Sequence, residues 1–152
     1  MVFLVGMRIN RFWRFLDWWA VGRAMVEMIR YLYAHPETGF LSAEYFISMR
    51  NRAPVLLTYW KSFEDLNKFA RGDAAPHLRS WKVFNGTIGK QRSVGVWHET
   101  FLVEPGRFEA IYANMPRFGL AHAGRHVRVS GHNETALRRL GGHDDPVVDV
   151  AY

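Results

Sequence analysis

The chain has 152 residues, a formal net charge of +6 and no cysteine. It is therefore long enough for one domain of ordinary size and excludes disulfides, thiolate metal sites and a cysteine nucleophile. A pI near 10.0 would suit an anionic partner, but the arginines are scattered and no block of about five or six basic residues occurs, so no nucleic-acid partner is expected.

In chain order, Val2 to Ile9 is a short apolar run of strand length, ended by "NRFWR". The apolar stretch that continues to Ile29 is interrupted by Arg8, Asn10, Arg11, Arg14, Asp17, Arg23 and Glu27. It falls short of the roughly 18 to 20 apolar residues of a membrane span and has no signal-peptide cleavage pattern. No membrane partner and a cytoplasmic location are the expectations. Trp18 to Ala34 reads as a helix, because Val21, Met25, Met28, Ile29 and Leu32 recur at steps of three and four before "HPETG". "FLSAEYFISM" (Phe40 to Met49) and "PVLLTYW" (Pro54 to Trp60) follow as a hairpin joined by "RNRA".

Ser62 and Asp65 have capping-box spacing ahead of a short helix marked by Phe63, Leu66 and Phe69 and closed by "RGDAA". Pro76 opens a second helix that runs to about Gly89. Val94 to Glu104 is a fourth strand, and Arg107 to Met115 reads as a fifth beyond Pro105 and Gly106. The order β-α-β-β-α-β with an extra strand is an α+β, ferredoxin-like split βαβ pattern.

Both faces of these strands carry apolar residues. Phe3, Val5, Met7 and Ile9 oppose Val2 and Leu4, and Leu41, Ala43, Tyr45 and Ile47 oppose Phe40 and Phe46. Helices cover one face, and a second copy of the chain covering the other predicts a homodimer. Residues 116–152, rich in Gly, His and Arg, form a C-terminal arm or tail beyond a domain of residues 1–115, with a helix candidate at Glu134 to Leu140 capped by Asn133.

The segment "LLTYWKSFEDLNKFARGDAAPHLRSWKVFN" resembles the signature of antibiotic-biosynthesis-type monooxygenases. There, a strand ending in an aromatic leads into W-x-S-x-E-x-L and then to a histidine near the next helix start. The matching positions are Trp60, Ser62, Glu64, Leu66 and His77. "VGMRINRFW", "VGVWHETF" and "YANMPRFGLAHAG" are similar to a monooxygenase-like branch that includes a fungal polyketide monooxygenase of the fumagillin pathway. The resemblance spans about residues 1 to 140. It implies a dimeric α+β barrel enclosing an apolar pocket and an oxidation that often needs neither metal nor flavin. The same superfamily contains haem proteins, among them aldoxime dehydratases and chlorite dismutases, that hold iron through a histidine.

His77 shares a helix face with Trp81, Phe84 and Ile88, within an arc of roughly 60° at about 100° per residue. The partial positive charge of a helix start favours its neutral form, as a base or a ligand. The competing reading is a hydrogen-bonded core histidine. His98 lies on an otherwise apolar strand face. Arg8 and Asn10 end the first strand, with Glu44 inside the second, and are of the right types to hold a substrate anion that His77 has deprotonated. Trp60, Trp81, Phe84, Trp97, His98 and Tyr112 are candidates to line an aromatic cavity.

His122 and His126 have an i, i+4 relation, but intervening Gly124 and the lack of nearby carboxylates in the sequence favour surface polarity over a metal site. The expectation is a monooxygenase-like enzyme acting without bound metal on a hydrophobic, aromatic or polyketide-like molecule. The alternatives are a haem enzyme with His77 or His98 as axial ligand, and a non-catalytic small-molecule binder.

Overall fold

The computed structural model describes residues 1–72, 82 and 84–144. It contains β1 (Val2–Ile9), α1 (Phe15–Ala34), a 3-10 turn (Pro36–Thr38), β2 (Phe40–Ser48), β3 (Ala53–Trp60) and α2 (Phe63–Arg71). A π-helical turn (Phe84–Ile88) and a short helix (Gly89–Gln91) then lead into β4 (Val94–Phe101). The strands form one antiparallel sheet in the order β2-β3-β1-β4, the ferredoxin-like arrangement expected from the element order.

Alternation along β1 divides the core. Phe3, Val5, Met7 and Ile9 face the helices. Ile29 and Leu32 of α1 pack there with Phe40, Ala43, Leu56, Trp60 and Leu66, and Met7, Ile9 and Val94 pack with Trp18, Val21 and Phe84.

Helix α1 begins three residues earlier than its periodicity suggests. The Arg14 guanidinium bonds the Asp17 carboxylate at 2.6 Å, and the Ser93 hydroxyl donates to the same carboxylate at 2.6 Å. Both groups hold Asp17 below its ordinary value of 3.8, Arg14 more strongly than Ser93. The Ser93 carbonyl also accepts the amides of Asn10 and Arg11. This clasp ties the end of β1 and the start of α1 to the entrance of β4.

Ser62 caps α2 by accepting the Asp65 amide at 3.0 Å. Its hydroxyl donates to the Asp65 carboxylate at 2.9 Å, so the acid returns to the cap's side chain and the full capping box is not formed. The pairing of β2 slips between Phe40 and Ser42. This bulge puts Phe40 beside Ala43 in the core, where simple alternation would oppose them.

The expected fifth strand is absent. At Arg107 the chain turns, its amide bonding the Glu104 carbonyl while Gly106 takes a left-handed φ of 74°. Residues 107–115 run without strand pairing. Glu109 instead reaches Arg139 at 2.7 Å. The late helix is Ala136–Arg139, capped by the Thr135 hydroxyl and not by Asn133. Leu120–Ala123 adds one helical turn and packs against β2 and β3. The sheet face assigned from sequence to a second subunit is thus partly covered by the chain's own C-terminal segment. No described helix is long and apolar enough to cross a membrane.

Because the folded-state pKa of Asp17 is depressed, its contribution to stability is present above about pH 4 and is lost as pH falls through the folded value. Asp17→Asn is expected to lower stability at neutral pH and to flatten the acid limb of the stability curve. Urea unfolding at pH 7 and pH 3 measures both. A loss of equal size at the two pH values would refute the role of the ionised clasp.

Candidate active site

On the sheet face away from α1, alternation aligns Ser42, Glu44 and Phe46 of β2 with Val55, Leu57 and Tyr59 of β3. Glu44 is an acid in apolar surroundings, its side chain 15% exposed, and it is held by partners distant in sequence. Its Oε1 accepts the Gly119 N–H at 2.7 Å and lies 3.1 Å from His122 Nδ1. A carboxylate at Nδ1 selects the tautomer that leaves Nε2 free to accept a proton.

Gly119 is required by the approach. Its φ is 55°, and a Cβ there would sit 3.1 Å from the Tyr59 hydroxyl and 3.7 Å from that of Tyr112. Burial first, then the neighbouring Tyr112 and Glu44, push the Tyr59 phenol above its ordinary value of 10.0. It stays protonated, a hydrogen-bond donor, through the neutral range. Phe118 closes one side, edge-on to Phe46 with ring centres 6.0 Å apart.

Beside this cluster, residues 108–112 and 120–129 bound a cleft of about 350 Å³. Phe108, Ile111, Leu120 and Val127 give it apolar walls, and Tyr112, Arg125 and His126 supply polar groups. The Tyr112 and His126 rings meet edge to face at 5.6 Å. The Arg125 guanidinium has no hydrogen-bond or ion-pair partner among the described residues. The volume lies at the small end of the range usual for ligand pockets, with the common combination of apolar walls and few polar groups.

The residues singled out from sequence fall in several places. Arg8 and Asn10 do meet, Arg8 Nε bonding Asn10 Oδ1 at 3.2 Å. They stand exposed at the end of the sheet, where Arg8 also reaches the Arg50 carbonyl and Asn51 and Asn10 donates to the Arg92 carbonyl. Trp60 is buried in the helix-side core, its indole N–H satisfied by the Thr58 hydroxyl at 3.0 Å, and is not among the residues lining this cleft. Phe84 packs into the same side, and exposed His98 lies 5.4 Å from the Phe3 ring there. Trp97 is on the opposite face, its indole over Gly6, where a Cβ would come within 2.8 Å of it.

Of the described residues in the set, Tyr112 lines the cleft. His77 and Trp81 lie outside the described residues. Sequence reading does not single out Tyr59 or Arg125, and it reads His122 and His126 as polar surface residues. Two signals were present: one acid inside an apolar strand, and two histidines one helical turn apart. What links them is a contact across 78 residues. No group of three or more potential ligands able to hold a metal occurs among the described residues.

Against known proteins, a model of the family described as monooxygenase af470-like matches residues 1–120. The chain belongs to that family. It is also similar to the structure of Rv0793 from Mycobacterium tuberculosis, with 21% identity, coverage of 68% of this chain and 97% of that one, and a TM-score of 0.45. No curated protein matches. Membership of the monooxygenase af470-like family supports a monooxygenase-like function in general terms. The matched region contains Glu44, Tyr59 and Tyr112 and ends before His122 and His126.

Glu44→Ala removes the charged acceptor shared by Gly119 and His122. Hydrogen bonds to charged groups contribute about 1.5–3 kcal/mol, here concentrated on one segment. Amide exchange at Gly119 and proteolysis within residues 103–118 should accelerate at least about tenfold, as such an energy implies. Protection of the β1–β3 amides should be unchanged. Uniform loss of protection across the sheet would show that Glu44 serves the whole fold and not this attachment.

Proposed function

We propose that the protein is a monooxygenase for a hydrophobic, aromatic or polyketide-like molecule, and that the substrate binds in the cleft walled by Phe108, Ile111, Leu120 and Val127. The observation that carries this reading is the union, in one cleft with apolar walls, of a histidine edge-on to a tyrosine and a guanidinium without a partner among the described residues. His126 removes the proton of a phenol or enol. Arg125 holds the resulting anion. The anion supplies the electrons to dioxygen, so the reaction requires no bound metal or flavin. One oxygen atom enters at a ring carbon as the substrate gives up two hydrogens, from that carbon or from it and the hydroxyl, and the other oxygen leaves as water with those hydrogens.

His77 with Arg8 and Asn10 is the competing assignment, favoured by the hydrogen bond between Arg8 and Asn10. A homodimer is part of the proposal. The half of the sheet face carrying Val2, Leu4, Trp97 and Phe101 is the surface on which a second copy would pack.

Oxygen uptake with anthrone-type and hydroquinone-type compounds tests the reading. His126→Ala and Arg125→Ala are expected to lower kcat/KM by about 10² or more, in the range removed with a general base or an anion-holding group, while His77→Ala leaves it within a few-fold. The reverse ranking would move the reaction to His77. A saturable Soret band on haem titration, lost in His77→Ala or His98→Ala, would replace the proposal by a haem protein. Melting shifts without oxygen uptake would leave a binder.

A further inference from the structure

Three segments distant in sequence meet at one end of the sheet. The Ile9 amide bonds the Asn51 carbonyl, and the Asn10 and Arg11 amides bond the Ser93 carbonyl. This end carries Arg8, Arg11, Arg50, Arg52 and Arg92, all exposed. None of the five pairs with a carboxylate among the described residues, and the nearby acid, Asp17, is already held by Arg14 and Ser93.

Two of these arginines stand where arginine is disfavoured. Arg52 has φ 54° and Arg92 φ 52°, left-handed positions at which glycine or asparagine is the undemanding choice. A long cationic side chain kept there at a conformational cost points to use of the guanidinium itself. Arg52 also lies over the Phe12 ring at 5.1 Å, joining the charged end to an exposed apolar row. That row is unusually bare, with Trp13 77%, Leu16 68% and Trp19 62% exposed and Phe15 exposed too, and Met49 at the hairpin tip is 85% exposed.

We propose that this end of the molecule docks on an anionic lipid surface. Trp13, Leu16, Trp19 and Met49 enter the interfacial layer, and the five arginines meet the headgroup phosphates. Tryptophan and phenylalanine beside arginine are the chemistry of the membrane–water boundary, and unpaired cations around an apolar face attract acidic headgroups. Leu16 and Met49 favour lipid over single-stranded nucleic acid, since aliphatic tips insert into acyl chains but offer no face for base stacking. The attachment is peripheral and differs from the membrane-free chain expected from the interrupted apolar run. It also separates docking from the cleft, which lies on the sheet face, and so stands whether or not the proposed oxidation occurs.

The test uses the full chain with vesicles of phosphatidylcholine alone and of equal parts phosphatidylcholine and phosphatidylglycerol. Cosedimentation and a blue shift of tryptophan emission are expected only with the anionic vesicles, weakening as salt is raised. The Arg52→Gly, Arg92→Gly double variant should bind about thirtyfold more weakly, at roughly fivefold per arginine near the surface. Its melting temperature should be equal or higher, because glycine relaxes both backbones. Trp13→Ser should diminish the blue shift, and Trp13→Ser with Trp19→Ser should abolish it. Three results would overturn the proposal: equal binding to both vesicles or to neither, undiminished binding by the double variant, or tighter binding to oligo-dT than to anionic vesicles. A fourth would be conversion of a dimer to a monomer by Trp13→Ser in light scattering, which would assign the patch to a second copy of the chain.

Discussion

Glu44 stands on a sheet face among Phe46, Leu57 and Tyr59, where an unsatisfied carboxylate would cost several kcal/mol. It is satisfied by the Gly119 amide and the His122 ring, and that requirement organises the whole face. The segment that supplies these partners must lie flat on β2 and β3. Its glycine must accept a left-handed φ so that two tyrosine hydroxyls can approach, and Phe118 is carried onto Phe46. The cleft exists because residues 108–112 and 120–129 are held as two walls by this attachment at one end and by the Arg139–Glu109 pair at the other. An ion pair of this kind contributes less to net stability than to specifying one arrangement of a segment with little apolar periodicity of its own.

The elements legible in the sequence were those whose signals are local. The β1 run has the same limits in sequence and in structure, the hairpin is displaced by a residue at its ends, and Ser62 is a cap in both. Local signals failed where a distant partner decided the outcome. Asp17 looks like an interruption of an apolar stretch, yet its bonds to Arg14 and Ser93 begin α1 early. Residues 107–115 have strand composition, but the turn at Glu104–Arg107 leads the chain away from the edge of β4, and without a partner strand their β propensity has nothing to act on. The bulge at Phe40–Ser42 cannot be read from alternation, because it breaks alternation.

The site was less legible than the fold for the same reason. In sequence His122 has no nearby carboxylate, and in the fold its carboxylate comes from β2. Trp60, with the strongest family signal, proved to be core, where its size and its bond to Thr58 explain its presence. Aromatic content alone did not distinguish a ring that fills the interior from one that lines a cleft. The distinction rests on which sheet face a residue occupies, and that depends on register.

Trp97 lies flat against Gly6, and its indole N–H is buried with no hydrogen-bond partner among the described residues. The N–H of an indole so placed is shielded from water, while part of the ring remains on the open sheet face. Its emission therefore belongs at shorter wavelength than that of exposed Trp13 and Trp19. The molecule carries its own optical ruler for the closeness of β1 and β4: whatever lifts one strand from the other wets this ring first and shifts its colour to the red.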